Sequence, residues 1–225
     1  MKAMILAAGR GERMRPLTDA LPKPLLEVAG KPLIVHHIEA LASQGITEIV
    51  INCAWLADKI VSYLGDGSRF GVKLSFSIET TALETAGGII NALPLLGDEP
   101  FAVINGDVLL GQLPDFNRVT LGDNCLGHVW LVANPSHNSR GDFSLNAEGL
   151  VYQALDDEPT MTFSGMAVYH PALFADAPPG ALALGPWLRQ AMTMQQIQGE
   201  CWPHYWCDVG TVARLEQANA DFGQQ

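Results

Sequence analysis

The distribution of apolar residues along the first 110 positions predicts a repeating order of strands and helices. Short apolar runs that end at glycine or at polar residues are typical of buried strands. Strands of this kind are predicted over residues 2–8, 46–53, 72–78 and 100–105. Apolar side chains at helical spacing predict helices from Pro32 to Gly45, over 55–64 and over 85–93. Because the connections are short, the pattern favours right-handed crossovers and a mostly parallel sheet.

The second half of the chain is richer in strand patterns and ends in helices. Strands are predicted over 127–133, 142–146, 151–154 and 162–169, and helices over 171–175, 184–194 and 211–222. Residues 9–24, rich in Gly, Arg and Pro, are predicted to form a loop. No repeat or long linker divides the chain. We therefore expect a single α/β domain over residues 1–225, with a mixed, mostly parallel central sheet flanked by helices.

Composition supports a packed core and limits the class of ligand. Hydrophobic residues make up 48% and charged residues 16%, which excludes disorder as the default state. The net charge of −11 argues against a nucleic-acid binder, which would carry a basic face. Residues 1–31 nevertheless hold six of the 13 Lys and Arg residues and only three acids. This local excess of positive charge predicts a small anionic ligand near the N-terminus.

The cysteine pattern predicts a reducing compartment. The four cysteines are scattered without a CxxC pair, and the apolar start of the chain is too short for a signal peptide or a membrane span. A cytoplasmic protein without membrane attachment is therefore expected.

A glycine-rich loop after the first predicted strand is the first candidate ligand site. Gly9 and Gly11 would let backbone N–H groups approach phosphate oxygens, and Arg13 and Arg15 add positive charge beside them. Met14 occupies the third glycine position of a dinucleotide-binding fingerprint, and the loop lacks the Gly-Lys-Ser/Thr of a P-loop. An NAD-dependent oxidoreductase is therefore excluded.

Other candidate residues lie beyond predicted strand ends or helix starts. Lys23 lies between two prolines, which hold its backbone extended at a low ordering cost. Asp107 follows a buried strand and Asp208 precedes the last predicted helix, and two such carboxylates are typical Mg²⁺ ligands in nucleotide chemistry. Glu84 and Thr85 lie where a loop enters a helix. Because ligands bind beyond the carboxyl ends of strands in open α/β sheets, Gly9 and Asp107 are expected near one site.

Six segments together resemble one enzyme family, the sugar-1-phosphate nucleotidyltransferases, also called nucleoside-diphosphate-sugar pyrophosphorylases. In chain order they are LAAGRGERMRPLT, PKPL, VAGKPLI, ETAGGI, NGD and WCDVGT. The resemblance implies a Rossmann-like domain in which residues 1–110 mainly bind the nucleotide and residues 111–225 mainly bind the sugar. It also implies attack of a sugar 1-phosphate oxygen on the α-phosphorus of a nucleoside triphosphate, with pyrophosphate leaving. Such a nucleophile is already an anion, so positioning and charge neutralisation would do most of the catalysis.

The resemblance implies roles for individual residues. Arg13 would stabilise the leaving pyrophosphate and Lys23 would bridge the two reacting phosphates, which makes them the catalytic pair. The nucleotide would be bound by Leu6, Ala7, Ala8, Gly9, Gly11, Glu12, Arg13, Lys23, Glu79, Glu84 and Thr85. The sugar 1-phosphate would be bound by Asn105, Asp107, Arg140, Gly141, Asp156 and Gly165. Asp107 and Asp208 would hold Mg²⁺.

Three shorter segments narrow the expected substrate. GDGSRFG (65–71), ETAGGI and RGDF (140–143) resemble the family members that join UTP to N-acetylmuramate 1-phosphate in bacterial peptidoglycan recycling. The lactyl carboxylate of such a sugar would meet Arg140, His137 or Asn138. Many relatives carry Glu-Lys-Pro where residues 156–159 read DDEP, so more phosphate charge would fall to Lys23 and Arg13.

Two alternatives remain open. The same reaction could use glucose, mannose or N-acetylglucosamine 1-phosphate with UTP, dTTP or GTP. A non-catalytic nucleotide-sugar binding protein would need to lack a catalytic group, whereas Arg13, Lys23, Asp107 and Asp208 are all present. A monomer or a small homo-oligomer is expected in either case.

Overall fold

The computed structural model describes residues 1–155 and 158–222 and places helices on both faces of one large sheet. Its α-helices are α1 (Leu17–Ala20), α2 (Leu33–Ser43), α3 (Ala57–Leu64), α4 (Glu84–Leu96), α5 (Leu184–Thr193) and α6 (Val212–Phe222). Its strands are β1 (Lys2–Leu6), β2 (Glu27–Val28), β3 (Lys31–Pro32), β4 (Glu48–Cys53), β5 (Lys73–Ile78), β6 (Phe101–Asn105), β7 (Val108–Leu110), β8 (Gly127–Val132), β9 (Ser144–Leu145), β10 (Val151–Tyr152), β11 (Thr162–Tyr169), β12 (Ile197–Cys201) and β13 (Trp206–Asp208).

The central sheet has the order β12-β8-β11-β6-β1-β4-β5. Strand β11 is antiparallel to both of its neighbours, and every other pair in this sheet is parallel. The prediction of a mixed, mostly parallel sheet is therefore confirmed. Parallel pairing brings the carboxyl ends of β1, β4, β5 and β6 to one edge, where the candidate residues around Gly9, Glu79 and Asp107 follow.

Alternate side chains of the inner strands enter two different core layers. Ala3 and Ile5 of β1 pack with apolar residues of α2 and α3 on one face. Met4 of β1 and Val50 of β4 pack with α4 and α5 on the other face. Strands buried on both faces read as continuous apolar runs, which explains why the sequence pattern located them.

A third, smaller apolar cluster holds the segments that carry the candidate site. Its buried members come from the N-terminal loop, α2, β7 and the region of β13 and α6: Met14, Leu26, Val28, Leu33, Leu109, Val209 and Ala218. Met14, which replaces the third glycine of a dinucleotide-binding fingerprint, is fully buried here. The cluster therefore fixes the loop after β1 against the short two-stranded sheet of β7 and β13.

Several element predictions were wrong at short or edge positions. The loop predicted over 9–24 contains α1 and two 3-10 turns, and the helix predicted over 171–175 is a 3-10 helix over Pro171–Phe174. Helix α4 continues through Pro94 to Leu96, although the proline lacks the N–H that would donate to the carbonyl four residues earlier. Strands β2, β3, β7, β12 and β13 were missed, and β2 and β3 have only two residues each. β7 and β13 have three residues each, and β12 is an edge strand with little apolar content.

In the part of the chain that the structure describes, no helix is long and apolar enough to cross a membrane.

Candidate functional site

A cleft of about 840 Å³ opens at the carboxyl ends of β1, β4 and β6. The sequence-predicted nucleotide-binding residues all line it: Leu6, Ala7, Ala8, Gly9, Gly11, Glu12, Arg13, Lys23, Glu79, Glu84 and Thr85. Asn105 and Asp107 line it as well. The volume and the convergent polar groups are those of a small-molecule site.

The loop after β1 presents backbone to this cleft. A Cβ added at Gly9 would meet no heavy atom within 4 Å, so the backbone there borders open space. Gly11 has a φ of +67°, and a Cβ there would lie 3.0 Å from Thr18 Cγ2 and 3.2 Å from Lys23 Cβ. Gly11 thus gives the loop its left-handed turn and lets it lie closely over Lys23. A turn of this kind suits phosphate oxygens.

Two of the three arginines of the loop share one ion-pair partner, Asp19. Arg10 Nη2 lies 3.1 Å and Arg15 Nε 2.9 Å from the same Asp19 oxygen. The hydrogen bond from Arg10, with a further contribution from Arg15, holds the pKa of Asp19 below its ordinary value. Arg13 lines the cleft and has no ion-pair partner among the described residues. The sequence predicted that both Arg13 and Arg15 lie beside the ligand. Because Arg15 pairs with Asp19, only Arg13 lacks an ion-pair partner among the described residues.

Lys23 is buried and forms an ion pair at the floor of the cleft. Only 8% of the residue is exposed, and its Nζ lies 2.7 Å from Asp107 Oδ2. A lysine in a 3-10 turn between Pro22 and Pro24 is held in place by the backbone. Lys23 is therefore not a solvated surface lysine. Its ion pair brings together the residue predicted to bind phosphate, Lys23, and a residue predicted to bind the metal, Asp107.

Of the two candidate metal ligands, Asp107 directly precedes β7, and Asp208 is the last residue of β13, the strand that pairs with β7. Strand β13 is antiparallel to β7, with Asp208 opposite Val108, and Val209 N donates to the Asp107 carbonyl oxygen at 2.8 Å. Asp208 is not among the cleft-lining residues, but Gly210, two positions further on, is. Asp208 Oδ2 lies 3.3 Å from Arg214 Nη2 and 3.3 Å from His137 Nε2.

Each aspartate has one carboxylate oxygen without a hydrogen-bond or ion-pair partner among the described residues. Lys23 occupies Oδ2 of Asp107, and Arg214 and His137 approach Oδ2 of Asp208. Asp208 Oδ1 is buried and has no hydrogen-bond partner in the described part of the chain. Carboxylate oxygens are the ligands that Mg²⁺ prefers, so these two side chains fit a divalent cation. Its remaining ligands would come from water and phosphate.

A buried chain of hydrogen bonds links three residues that line the cleft, Ala7, Asn52 and Glu79. Ala7 N donates to Asn52 Oδ1 at 2.9 Å, and Asn52 Nδ2 donates to Glu79 Oε1 at 2.7 Å. Glu79, only 6% exposed, also accepts a hydrogen bond from Leu83 N at 3.3 Å. Glu79 therefore fixes both the end of β1, through Asn52, and the loop before α4. Glu84, at the start of that helix, has a left-handed φ of +57°, a strained conformation of the kind that clusters at functional sites.

Gly88→Ala is expected to lower the free energy of unfolding by at least about 1 kcal/mol. A Cβ at Gly88 would lie 2.7 Å from Asn52 Nδ2 and 2.8 Å from Glu79 Oε1, so it would break their buried hydrogen bond. The loss should outweigh the gain of roughly 1 kcal/mol that alanine brings in a helix. Urea unfolding measures the effect. Gly122→Ala, where a Cβ meets nothing within 4 Å, is the control. Equal stability of Gly88→Ala and wild type would contradict the packing described.

Only some of the predicted sugar-binding residues line the cleft. Gly165 in β11, with a φ of +81°, packs against the Asn105 side chain, and a Cβ there would lie 2.7 Å from Asn105 Cγ. A Cβ at Gly141 would instead collide with Asn134 and Thr160, so the absence of a side chain at Gly141 serves loop packing. Arg140 is exposed and does not line the cleft. Asp156 lies outside the described residues.

The loop of residues 135–141 nevertheless reaches the metal-ligand candidates. His137 contacts Asp208, and Asn138 Nδ2 donates to Asp142 and to Thr162 at 3.3 and 3.2 Å. The Arg140 guanidinium has no ion-pair or hydrogen-bond partner among the described residues. Of the three side chains proposed to bind a carboxylate, Arg140 is therefore the one without a side-chain partner among the described residues.

Sequence reasoning missed three residues of this region: Asn52, Trp55 and Arg214. Asn52 had a usable signal, since a polar side chain within an apolar run near a strand end is a buried polar group that needs a partner. Trp55 lines the cleft beneath Arg10, whose guanidinium lies 3.7 Å from the centre of the indole ring. No sequence pattern indicated Arg214, because its contact with Asp208 depends on where helix α6 begins, at Val212.

Comparison with known proteins gives one family. The model of the nucleotidyl transferase family matches residues 2–121. The N-acetylmuramate alpha-1-phosphate uridylyltransferase of Neisseria meningitidis serogroup B is 51% identical, over 98% of this chain and 97% of that protein. The protein of the same name from Caulobacter vibrioides is 33% identical, over 92% of this chain and 91% of its own length.

A solved structure shows the same fold. HddC from Yersinia pseudotuberculosis, complexed with GMP-PN, superposes with a TM-score of 0.79 over 98% of this chain and 99% of that chain. The two sequences are 22% identical, so the similarity establishes the fold alone.

Proposed function

The chain belongs to the nucleotidyl transferase family and is a sugar-1-phosphate nucleotidyltransferase, and from this premise we propose its substrates. The protein transfers a uridylyl group from UTP to N-acetylmuramate 1-phosphate and releases pyrophosphate. The observation that carries the proposal is the 51% identity that extends over 98% of the chain to a uridylyltransferase of that name. Such similarity includes both the cleft and the half of the chain expected to bind the sugar.

The geometry supports direct attack of one phosphate on the other. The sugar 1-phosphate oxygen forms a bond to the α-phosphorus of UTP as the bond to the bridging oxygen of pyrophosphate breaks. The loop around Gly9 and Gly11 holds the triphosphate with backbone N–H groups. Arg13, which has no ion-pair partner among the described residues, stabilises the leaving pyrophosphate.

Lys23 neutralises the charge at the two reacting phosphates. Its ammonium group is anchored next to Asp107 before any ligand binds, so little ordering is needed when substrates arrive. Asp107 and Asp208 would hold Mg²⁺, which supplies charge neutralisation to phosphate oxygens when bound. The buried and unpartnered Asp208 Oδ1 supports this assignment.

Arg140→Ala is expected to raise KM for N-acetylmuramate 1-phosphate about tenfold and to leave KM for N-acetylglucosamine 1-phosphate within about twofold. The two sugars differ by the lactyl carboxylate, and the exposed Arg140 guanidinium has no partner in the part of the chain that the structure describes. Arg118→Ala, which removes another exposed arginine, is the control. Initial rates of pyrophosphate release give both constants. An equal rise for both sugars would contradict recognition of the carboxylate by Arg140.

A pyrophosphate-release panel tests the proposed substrates. UTP, dTTP, GTP and ATP are each combined with the 1-phosphates of N-acetylmuramate, N-acetylglucosamine, glucose and mannose. The highest kcat/KM is expected for UTP with N-acetylmuramate 1-phosphate, and EDTA is expected to abolish it. A clear preference for another pair would replace the substrate assignment, and full activity after metal removal would contradict the Mg²⁺ role.

The proposal also covers the setting of the reaction. The product would supply an activated muramate sugar for peptidoglycan recycling. A cytoplasmic location is supported by the four free cysteines, Cys53, Cys125, Cys201 and Cys207.

A further inference from the structure

Internal cations already pair with both carboxylates of the proposed metal site. Lys23 Nζ lies 2.7 Å from Asp107 Oδ2, and Arg214 Nη2 lies 3.3 Å from Asp208 Oδ2. The role proposed for Lys23 toward phosphate does not extend to Arg214, which lies on α6 and does not line the cleft. Arg214 is therefore a buried charge without an assigned role.

The surroundings of Arg214 do not satisfy its guanidinium. Its Nε and Nη2 are buried and lack a hydrogen-bond partner in the described part of the chain, although Nη2 is close to Asp208. Its side chain is 19% exposed and that of Asp208 is 23% exposed. Two opposite charges removed from water to this degree attract each other more strongly than a surface pair.

Gly210 lines the cleft and lies next to the Arg214 guanidinium. A Cβ added there would lie 2.1 Å from Arg214 Nη2, 2.8 Å from Asp208 Oδ1 and 3.0 Å from Arg13 Nη2. Two guanidinium groups thus face one carboxylate at a residue that lines the cleft, with His137 as a third group against Asp208. Around Gly210, the positive charges of Arg13 and Arg214 outnumber the negative charge of Asp208. This balance favours the binding of an anion and disfavours the binding of a cation alone.

We propose that Arg214 is the internal counter-ion of Asp208, a positioning residue that keeps the affinity of the ligand-free protein for divalent cations low. The cation then enters together with the triphosphate, whose negative charge compensates the guanidinium that Asp208 releases. This inference rests on the proposed metal role of Asp208. It has a specific consequence, because removing the charge of Arg214 should strengthen cation binding to the free protein and weaken catalysis. A residue needed only for folding would lower both.

The test measures Mn²⁺ binding to the ligand-free protein by electron paramagnetic resonance. Arg214→Met is expected to bind Mn²⁺ at least about tenfold more tightly than wild type, while its kcat with Mg²⁺ and UTP falls. Arg214→Lys keeps the positive charge and should bind Mn²⁺ nearly as wild type does. Arg118→Met is the matched control, because Arg118 also lies 3.3 Å from an aspartate, Asp115, but is 86% exposed.

The possible results separate this inference from the function it rests on. Wild-type or weaker Mn²⁺ affinity in folded Arg214→Met would overturn the counter-ion role and leave the proposed reaction intact. Absence of Mn²⁺ binding to wild type even with UTP present would overturn both the counter-ion role and the metal site. If Arg214→Met does not fold, which thermal melting detects, Arg214→Gln carries the same expectation and the same contradicting result.

Discussion

Lys23→Ala is expected to lower kcat by at least about a hundredfold, a loss of about 2.7 kcal/mol of transition-state stabilisation. The ammonium group is buried at the cleft floor, and the described residues provide no other lysine in the cleft lining. In addition, residues 156–159 read DDEP and contain no lysine, where the resemblance to the family implied a Glu-Lys-Pro segment with a second phosphate contact. We therefore expect little other positive charge to compensate for the loss of Lys23. Single-turnover pyrophosphate release measures the effect on the chemical step.

The control for Lys23 is another ion-paired lysine. Lys31 Nζ lies 2.6 Å from Glu39 Oε2, but both side chains are more than 40% exposed and lie outside the cleft. Lys31→Ala is expected to keep wild-type kcat, since exposed pairs contribute little. A Lys23→Ala protein with the wild-type melting temperature and nearly wild-type kcat would refute the phosphate role.

Asp107→Asn is expected to reduce kcat about a hundredfold or more and to raise the Mg²⁺ concentration required for half-maximal rate. The change keeps the size of the side chain but removes the charge that attracts the cation and anchors Lys23. The variant therefore loses both the attraction of the cation and the ion pair with Lys23. The fall in kcat should for this reason be larger than when an amide replaces a carboxylate that only binds metal. Rates measured over a Mg²⁺ titration separate the two contributions, because added metal can restore only the first.

The matched control is Asp115→Asn. Asp115 is also paired with a cation, Arg118 at 3.3 Å, and lies on the surface outside the cleft lining. It should show an unchanged Mg²⁺ requirement. If Asp107→Asn also kept the wild-type requirement, Asp107 would not be a metal ligand.

The central strands could be predicted from sequence because their physical signal is strong and local. Strands β1, β4 and β6 are buried on both faces, and their inner positions are mostly apolar. The position of the site followed from the same pattern, since the loop around Gly9 and the residue Asp107 come directly after two of these strands. No local pattern of comparable strength marks the three-residue strands β7 and β13.

The ion pairs of the site could not be predicted, because they depend on contacts between distant parts of the chain. Lys23 and Asp107 are 84 positions apart, and their contact needs the loop to fold back over the end of β6. The approach of Asp208 to Asp107 depends on the pairing of β13 with β7, which the sequence did not reveal. Resemblance to a family named Lys23, Asp107 and Asp208, but it said nothing of Arg214 or of the Asn52–Glu79 hydrogen bond.

The most direct test of the proposed reaction follows the α-phosphate of UTP. The protein is incubated with UTP labelled at the α-phosphorus, N-acetylmuramate 1-phosphate and Mg²⁺, and the products are separated by chromatography. Attack at the α-phosphorus predicts that all transferred label is found in UDP-N-acetylmuramate and that the released pyrophosphate is unlabelled. Recovery of the label in UMP, or a sugar product without label, would contradict nucleotidyl transfer to this sugar.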